Sequence, residues 1–419
     1  MSRVTLALVG AGLRGQSYAR HAQTSGSGRV VALAEPDPAR RAAAAAEFGV
    51  PQDRVYADWS ELVAAGRLAD AVIVATQDRQ HAEPAIASAD LGYHVLLEKP
   101  MATTEGEAAA IAAAAERNKT MIAVCHVLRY TPYTRTLKRM LDEGAIGRLV
   151  SVQHLEPVGW WHQAHSFVRG NWRRSDTSAP MLLTKSCHDI DWLVYLFGRS
   201  PHRVSSFGSL THFRAEGAPA GAAARCTDCP VESTCPYSAK RLYLDCLDDP
   251  ERRYWPLSAV TEDHTEAGVL EALRTGPYGR CVYACDNDVV DHQVVSMEFD
   301  DGATCSFTMS AFTPQEHRRT RLLGTHGYLD GDGVTIRTVD FRTGAEGVVD
   351  TRTAAGPSAA DGHGGGDEAL MDAFVAAVAT GDRGVLKSDA AASLASHRVV
   401  WAAERARTTG AVVALAAGV

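Results

Sequence analysis

Lys99 stands between Glu98 and Pro100, directly after the apolar run His94–Leu97. That run reads as a strand, and a lysine at a strand's carboxyl end can trade a proton with a ligand hydroxyl. The proline fixes the backbone beside it. Further along, Lys185-Ser-Cys-His-Asp-Ile-Asp191 puts His188 and Asp191 three residues apart. On a helix these share one face. The histidine suits acid–base work, and the carboxylate can contact a ligand or orient the ring. Lys185 adds an ammonium able to stabilise a developing alkoxide. Just upstream lie Trp160-Trp161-His162, His165 and the pair Trp172-Arg173. They offer aromatic faces and a guanidinium for ligand contact, or packing between domains.

A second constellation lies at the start of the chain. Val4–Val9 reads as a buried strand, and Gly10, Gly12 and Gly15 follow at G-x-G-x-x-G spacing. The first glycine permits the turn, the second lets backbone approach a pyrophosphate, and the third allows helix to pack on strand. Amides at the new helix start, Leu13 and Arg14 among them, can hold phosphate. Glu35 ends the next strand, twenty residues after Gly15. A carboxylate there accepts from ribose hydroxyls and repels a 2'-phosphate, which favours NAD over NADP. Arg40 and Arg41 pull the other way, because an arginine nearby can hold that phosphate.

These residues need a frame. Strand and helix patterns alternate up to about residue 127: strands at Val30–Ala34, Ala71–Ala75, His94–Leu97 and Met121–Cys125, helices up to Thr24, over Ala39–Phe48, after Asp58 and over Thr104–Asn118. This alternation predicts a parallel, doubly wound sheet. From 128 to 419 the pattern changes. Leu149–Leu155, Val204–Leu210, Val289–Phe299, Thr304–Phe312, Arg318–Leu323 and Tyr328–Leu329 read as strands with few helices between them. An open, largely antiparallel sheet with helices on one face is expected, among them Ser186–Phe197, Asp367–Ala379 and Ser388–Arg405. Two excursions interrupt it, at about 213–285 and 353–366.

Composition sets the class. With 419 residues, 46% hydrophobic and 22% charged, two soluble domains are expected. A net charge of −8 does not suggest a nucleic-acid groove or an anionic membrane surface. The first residues form a strand rather than a basic region with an apolar signal core, and no apolar run reaches the length of a membrane span, so a cytoplasmic location is expected. The nine cysteines are an odd number in a large chain, which argues for reduced thiols. Cys226-x-x-Cys229-x5-Cys235 gathers three of them, a start for a tetrahedral structural zinc site. Cys281 is the preferred fourth ligand, with Cys246 and Cys285 behind it. Free thiols or an iron–sulfur cluster are the alternatives.

Thr76 to Pro100, running Thr-Gln-Asp-Arg-Gln-His-Ala-Glu-Pro and on to Leu-Leu-Glu-Lys-Pro, together with the glycine turn and Arg129-Tyr130-x-Pro132, resembles the Gfo/Idh/MocA family of sugar and cyclitol oxidoreductases. The resemblance covers nearly the whole chain and is strongest over 4–132. It implies a Rossmann domain followed by an open-faced α/β domain, with substrate bound between them beside the nicotinamide. It implies that Lys99 is an active-site residue, that Thr76, His81, Glu98, Trp172 and Arg173 lie at the cofactor, and that Arg129, Tyr130 and His363, the last in a Gly-His-Gly-Gly-Gly loop, lie at the substrate. It implies pairing into a homodimer or homotetramer through the second sheet. The family pattern Asp-x-Gly-x-His-x-x-Asp matches at His188 and Asp191 but departs at Thr184 and Ser186, with Lys185 beside them. The division of roles among Lys99, Lys185 and His188 stays open.

Three functions fit. The first is hydride transfer between NAD and a hydroxyl-bearing carbon of a sugar, glycoside or cyclitol. The second is a redox-assisted glycosidase or lyase, in which a hydroxyl is oxidised transiently and the cofactor returns unchanged. The third is a sugar-nucleotide sensor without turnover, against which Lys99 and His188 together argue.

Overall fold

A computed structural model describes residues 3–352 and 364–415. Its first sheet contains β1 (Val4–Val9), β2 (Gly28–Ala34), β3 (Val55–Tyr56), β4 (Ala71–Val74), β5 (His94–Leu97) and β6 (Ile122–Val124), in the order β3-β2-β1-β4-β5-β6. All neighbours pair in parallel. The strands are apolar and almost fully buried because helices cover both faces. The helices are α1 (Leu13–Thr24), α2 (Pro38–Phe48), α3 (Trp59–Ala64), α4 (Ala82–Asp90) and α5 (Glu105–Asn118). Local chemistry fixes their starts. Asp37 accepts from the Arg40 amide with Pro38 in the first turn, and Thr104 with Glu107 forms a capping box. Strand order reverses between β1 and β4, and a ligand crevice opens there at the strands' carboxyl ends.

The second sheet has nine strands: β7 (Leu149–Pro157), β8 (Arg203–Ser209), β9 (His292–Glu298), β10 (Thr304–Ser310), β11 (Arg319–Gly324), β12 (Gly327–Gly331), β13 (Thr335–Asp340), β14 (Glu346–Asp350) and β15 (Val413–Ala414). Their order is β14-β13-β12-β11-β7-β10-β9-β8-β15. Only β7 and β10 run parallel, so the largely antiparallel expectation holds. One face packs on helices Cys187–Phe197 and Ala390–Thr409, with Phe197 and Phe299 stacked at 3.8 Å between ring centroids. The other face is open.

Several elements go beyond the sequence reading: β13, β14, β15, helix Pro132–Asp142 and a π-helical segment Gln163–Arg169. β9 also starts later than Val289. The Asp291 carboxylate accepts from the amides of Thr211 and His212, both at 2.8 Å, and holds the strand entry against the loop leaving β8.

An excursion of about 80 residues joins the adjacent strands β8 and β9. It carries short helices Ala239–Leu244, Pro250–Tyr254 and Glu266–Thr275 around its own core of Tyr243, Leu257, Val269 and Leu273. The chain's last helices return to the first sheet. Leu370, Met371 and Phe374 pack with Leu6, Tyr18 and Leu33, and Ala390 and Leu394 with Ala108 and Ile111. The first sheet ends before residue 127, but its cores are completed by residues from the end of the chain.

Candidate active site

The glycine turn has the geometry its spacing predicts. Gly10 has φ +88°, and a Cβ there would lie 2.5 Å from the Ala75 carbonyl oxygen. A Cβ on Gly15 would lie 2.1 Å from the Gly10 carbonyl oxygen, so only glycine lets α1 press onto the turn. A Cβ on Gly12 would meet nothing within 4 Å. Its bareness serves close approach from outside, and it leaves the amides at the helix start without a side-chain cap. Glu35 is buried at the turn. One carboxylate oxygen accepts from the Ala11 amide at 2.7 Å, the other from the Asp37 amide at 3.0 Å, with Arg40 3.3 Å away. With the two amides and Arg40 on it, the carboxylate keeps room for one further hydroxyl donor. This cradle fits the ribose and pyrophosphate of a dinucleotide.

Arg14 does not reach toward that cradle. Its Nε donates to Glu98 at 2.8 Å, and its terminal nitrogens bond Tyr18 and Asp367. Glu98 also accepts from the Tyr18 hydroxyl at 2.9 Å and the Lys99 amide at 2.7 Å. Burial would raise the Glu98 carboxyl, but Arg14 and Lys99 outweigh it and hold the group below the usual carboxylate range. Glu98 and Arg14 thus brace the segment that carries Lys99. His81 is a brace as well. Its ring nitrogens face the carbonyls of Pro100 at 2.7 Å and Thr76 at 3.2 Å, tying the loop after β4 to the lysine segment. Thr76 donates to the Gln80 carbonyl at 2.9 Å.

The Lys99 ammonium crosses to the second unit and donates to the Thr184 carbonyl at 2.7 Å. Thr184 ends the short helix Met181–Thr184, and His188 follows one turn later in the next helix. His188 is buried and stands edge-on to His126, with ring centroids 6.0 Å apart. His126 follows β6, packs 5.4 Å from His397, and lies 3.6 Å from Asp191.

Asp191, Arg129 and Tyr130 are buried and bonded to other side chains and backbone. Arg129 grips both Asp191 oxygens at 2.7 Å, Ser396 donates to the same carboxylate at 2.8 Å, and all are buried. Burial would raise the Asp191 carboxyl, and the guanidinium overrides it, holding the group below its usual range. The Tyr130 hydroxyl meets Ser388 Oγ at 3.1 Å and accepts from the Lys387 amide at 2.8 Å. The expected ligand-contact residues Arg129, Tyr130 and Asp191 are thus held by these protein partners. Trp172 donates from Nε1 to Asp78 at 2.8 Å and so joins the two units, whereas Arg173 is taken up by Asp286 at 2.8 Å. His363 lies outside the described residues.

Lys185 extends to Glu156 at 2.8 Å. Arg318 lies 3.0 Å from the other Glu156 oxygen and 2.5 Å from Asp189, which His154 approaches at 3.1 Å. The β7–β11 register places Thr320 opposite His154 and so sets this chain of charges. The sequence reading missed Glu156, Arg318, Asp189 and His126. Only His126 carried a signal, a titratable residue at a parallel strand's carboxyl end. From the excursion, Trp255 packs on Trp161 and His162 with centroids 5.4 and 4.9 Å apart, and the Tyr254 hydroxyl stands 3.4 Å from the Leu13 carbonyl. The excursion therefore reaches from the second unit to the glycine turn.

The buried imidazoles make stability pH-dependent. Burial pulls His126 and His165 down to about 3 and His397 to about 4. In the unfolded chain each titrates near 6.5. Above that pH both states are neutral and these groups contribute no slope. Below it the unfolded chain takes up protons first, so stability falls as pH drops toward 4. The contribution of these groups to stability is expected to be flat above pH 7 and to decline below 6.5, by roughly 2 kcal/mol per buried imidazole at pH 5, with the melting temperature following. Replacing His397 with glutamine should shallow that decline, as pH-dependent calorimetry would show.

The oxidoreductase-family model with an NAD-binding Rossmann fold matches residues 4–126, and that for the family's C-terminal alpha/beta domain matches 138–415. The YteT protein of Bacillus subtilis is 28% identical over 271 residues, covering 63% of this chain and 60% of that one. Inositol 2-dehydrogenase 2 of Saccharopolyspora erythraea is 31% identical over 198 residues, 47% of this chain and 54% of that one. The chain thus spans about half the length of the curated relatives it matches. A levoglucosan dehydrogenase solved with NADH and levoglucosan superposes with TM-score 0.72 at 20% identity, covering 99% of each chain. No helix among the described residues is long and apolar enough to cross a membrane. Two sheets in this order, a glycine turn at the first, a lysine bridging them and both domain models matched in sequence make this chain a member of the Gfo/Idh/MocA oxidoreductase family.

Proposed function

We propose that the chain is an NAD-dependent enzyme that moves hydride between nicotinamide and a hydroxyl-bearing carbon of a sugar, glycoside or cyclitol. The observation that carries this reading is Lys99. It projects from the carboxyl end of β5, where a dinucleotide-binding sheet opens, and its ammonium reaches the helix that leads to His188. When bound, NAD supplies a hydride acceptor. The chain's own residues must orient the hydroxyl and take its proton as the carbon is oxidised.

Lys99 and His188 are the groups placed for that transfer. Lys185, partnered by Glu156, places a further cation for the developing alkoxide. Glu98, Arg14, His81 and the Arg129–Asp191 pair hold these groups in place. Relatives named levoglucosan dehydrogenase and inositol 2-dehydrogenase, at 31% identity, support the substrate class.

NAD is the cofactor this cradle favours. A 2'-phosphate would meet the Glu35 carboxylate, and Arg40 is partly neutralised by that same group. Glu35→Ala is expected to weaken NAD binding about tenfold, the loss of one hydrogen bond to a charged acceptor. It also releases Arg40 toward a phosphate, so the ratio of NAD to NADP dissociation constants should narrow. An unchanged ratio in titrations with both cofactors would place ribose recognition elsewhere.

A second reading has no net redox. Relatives at 26% and 23% identity are named 2,7-anhydro-N-acetylneuraminate hydratase, and the Lys185–Glu156 pair adds an acid and a base an elimination can use. One experiment separates the two. The protein is incubated with NAD and a panel of sugars, glycosides and cyclitols, and both NADH and sugar products are followed. NADH accumulating with an oxidised sugar supports the dehydrogenase; a cleaved or hydrated sugar at constant NADH supports the closed cycle. No conversion of any panel member defeats both.

Subunits are proposed to pair through the open sheet face. Phe207, 70% exposed, and Val294, 36% exposed, lie there opposite one another on β8 and β9.

A further inference from the structure

We propose that the excursion between β8 and β9 binds one zinc ion through the thiolates of Cys226, Cys229, Cys235 and Cys281, with the buried guanidinium of Arg169 as its counter-charge. Cys226, Cys229 and Cys235 are neighbours in sequence and Cys281 is remote, yet all four line one cavity of about 20 Å³. An isolated bridge pairs Arg225 with Arg280, and the Cys281 amide donates to the Ala224 carbonyl at 2.8 Å. That bridge puts Cys226 and Cys281 diagonally across from each other on one face of the pairing. The cavity has room for one water-sized occupant, which suits a single ion rather than a cluster of metal and sulfide.

Arg169 is the independent observation. It is fully buried at the end of the π-helical segment and lines the same cavity. Its Nε donates to the Arg280 carbonyl at 2.8 Å and its Nη2 to the Tyr237 carbonyl at 2.7 Å, while Nη1 has no partner among the described residues. No carboxylate among those residues pairs with it. A buried cation without an anion is costly, and four protonated thiols do not offset it. Four thiolates on a dication carry a net charge of −2, which does. Cys226 already accepts N–H groups, from Arg169 Nη2 at 3.6 Å and from the Ala239 amide at 3.5 Å. Such bonds delocalise charge from a metal-bound sulfur.

The remaining candidates behave differently. The Cys246 thiol donates to the Leu242 carbonyl at 3.1 Å, and Cys285 to the Cys281 carbonyl at 3.3 Å. Both are protonated donors turned to backbone. Among the described residues no three histidine, cysteine, aspartate or glutamate side chains stand at liganding geometry around one point. Ligation therefore draws the four sulfurs inward from the cavity wall and releases up to one proton from each thiol. It ties 226–235 to 280–281, the two ends of the segment that carries Tyr254 and Trp255. The site is closed and structural.

The test is metal analysis of the purified full chain by plasma mass spectrometry. About one zinc per chain is expected, retained in Cys246→Ser and Cys285→Ser and lost in the Cys226→Ser/Cys229→Ser double variant. If that variant fails to fold, cobalt exchange into the unmutated protein gives the readout: intense thiolate-to-cobalt charge transfer and tetrahedral d–d bands. Arg169→Met should lose its zinc to a chelator about 10–100-fold faster. A folded protein free of metal, a preparation holding iron and sulfide, cobalt spectra without thiolate charge transfer, or zinc that survives loss of Cys226 and Cys229 would each overturn the assignment. None of these readouts depends on the substrate or on turnover.

Discussion

Lys99→Ala is expected to lower turnover by about 10²–10⁴-fold, the range lost when a positioned proton-transfer group is removed. NAD affinity should stay close to that of the unmutated chain, because the glycine turn and Glu35 are built from other elements. Stability should change little as well, since the ammonium makes one hydrogen bond, to the Thr184 carbonyl, worth about 1 kcal/mol net. Lys99→Arg separates charge from proton exchange. Its guanidinium stays protonated at working pH, so it can hold an alkoxide but not cycle a proton, and it should remain strongly impaired. A pH–rate profile for the oxidation that loses its low-pH limb in both variants would mark Lys99 as the group that takes the proton. Turnover equal to that of the unmutated chain would remove Lys99 from the chemistry and with it the proposed division of labour.

Asp191→Ala is expected to act on stability first, by about 3–5 kcal/mol, because it strands the buried Arg129 guanidinium. The same change releases Ser396 and removes an acid beside His126. Replacing both partners, Arg129→Met with Asp191→Leu, should recover much of the loss, since an apolar pair of similar volume is tolerated where an orphaned charge is not. The outcome that would defeat this positioning role is an Asp191→Ala protein that melts normally but has a strongly raised KM for sugar. That pattern belongs to a residue that touches substrate.

The fold was legible where period and chemistry agree. Val4–Val9 and His94–Leu97 are continuous apolar runs next to glycine or lysine signals, and both are strands over those residues. β13 and β14 escaped because Thr335–Asp340 and Glu346–Asp350 sit at the sheet's edge with mostly half-exposed side chains, so little alternation marks them. The π-helical turn has no sequence period of its own. At the site, Lys99, Glu35 and the glycines were readable because backbone geometry dictates their positions. Residues joined only by tertiary register, such as Glu156 with Arg318, were not. Arg129 and Asp191 were found, but their pairing was hidden. Spacing shows which residues share a face, and not whether that face meets a ligand or another side chain.

The return of the last two helices to the first sheet sets how the molecule comes apart. Phe374 and Leu394 sit in cores built mostly by residues before 127, and the Arg14–Asp367 pair ties the first helix to a late one. Neither half can melt without stripping apolar cover from the other. Heating should therefore give one cooperative transition rather than two, and a fragment ending at residue 127 would expose the surfaces that Leu370, Met371 and Phe374 now cover. The first 127 residues are not expected to fold when excised, and a change in one half should be read out as stability by the whole chain.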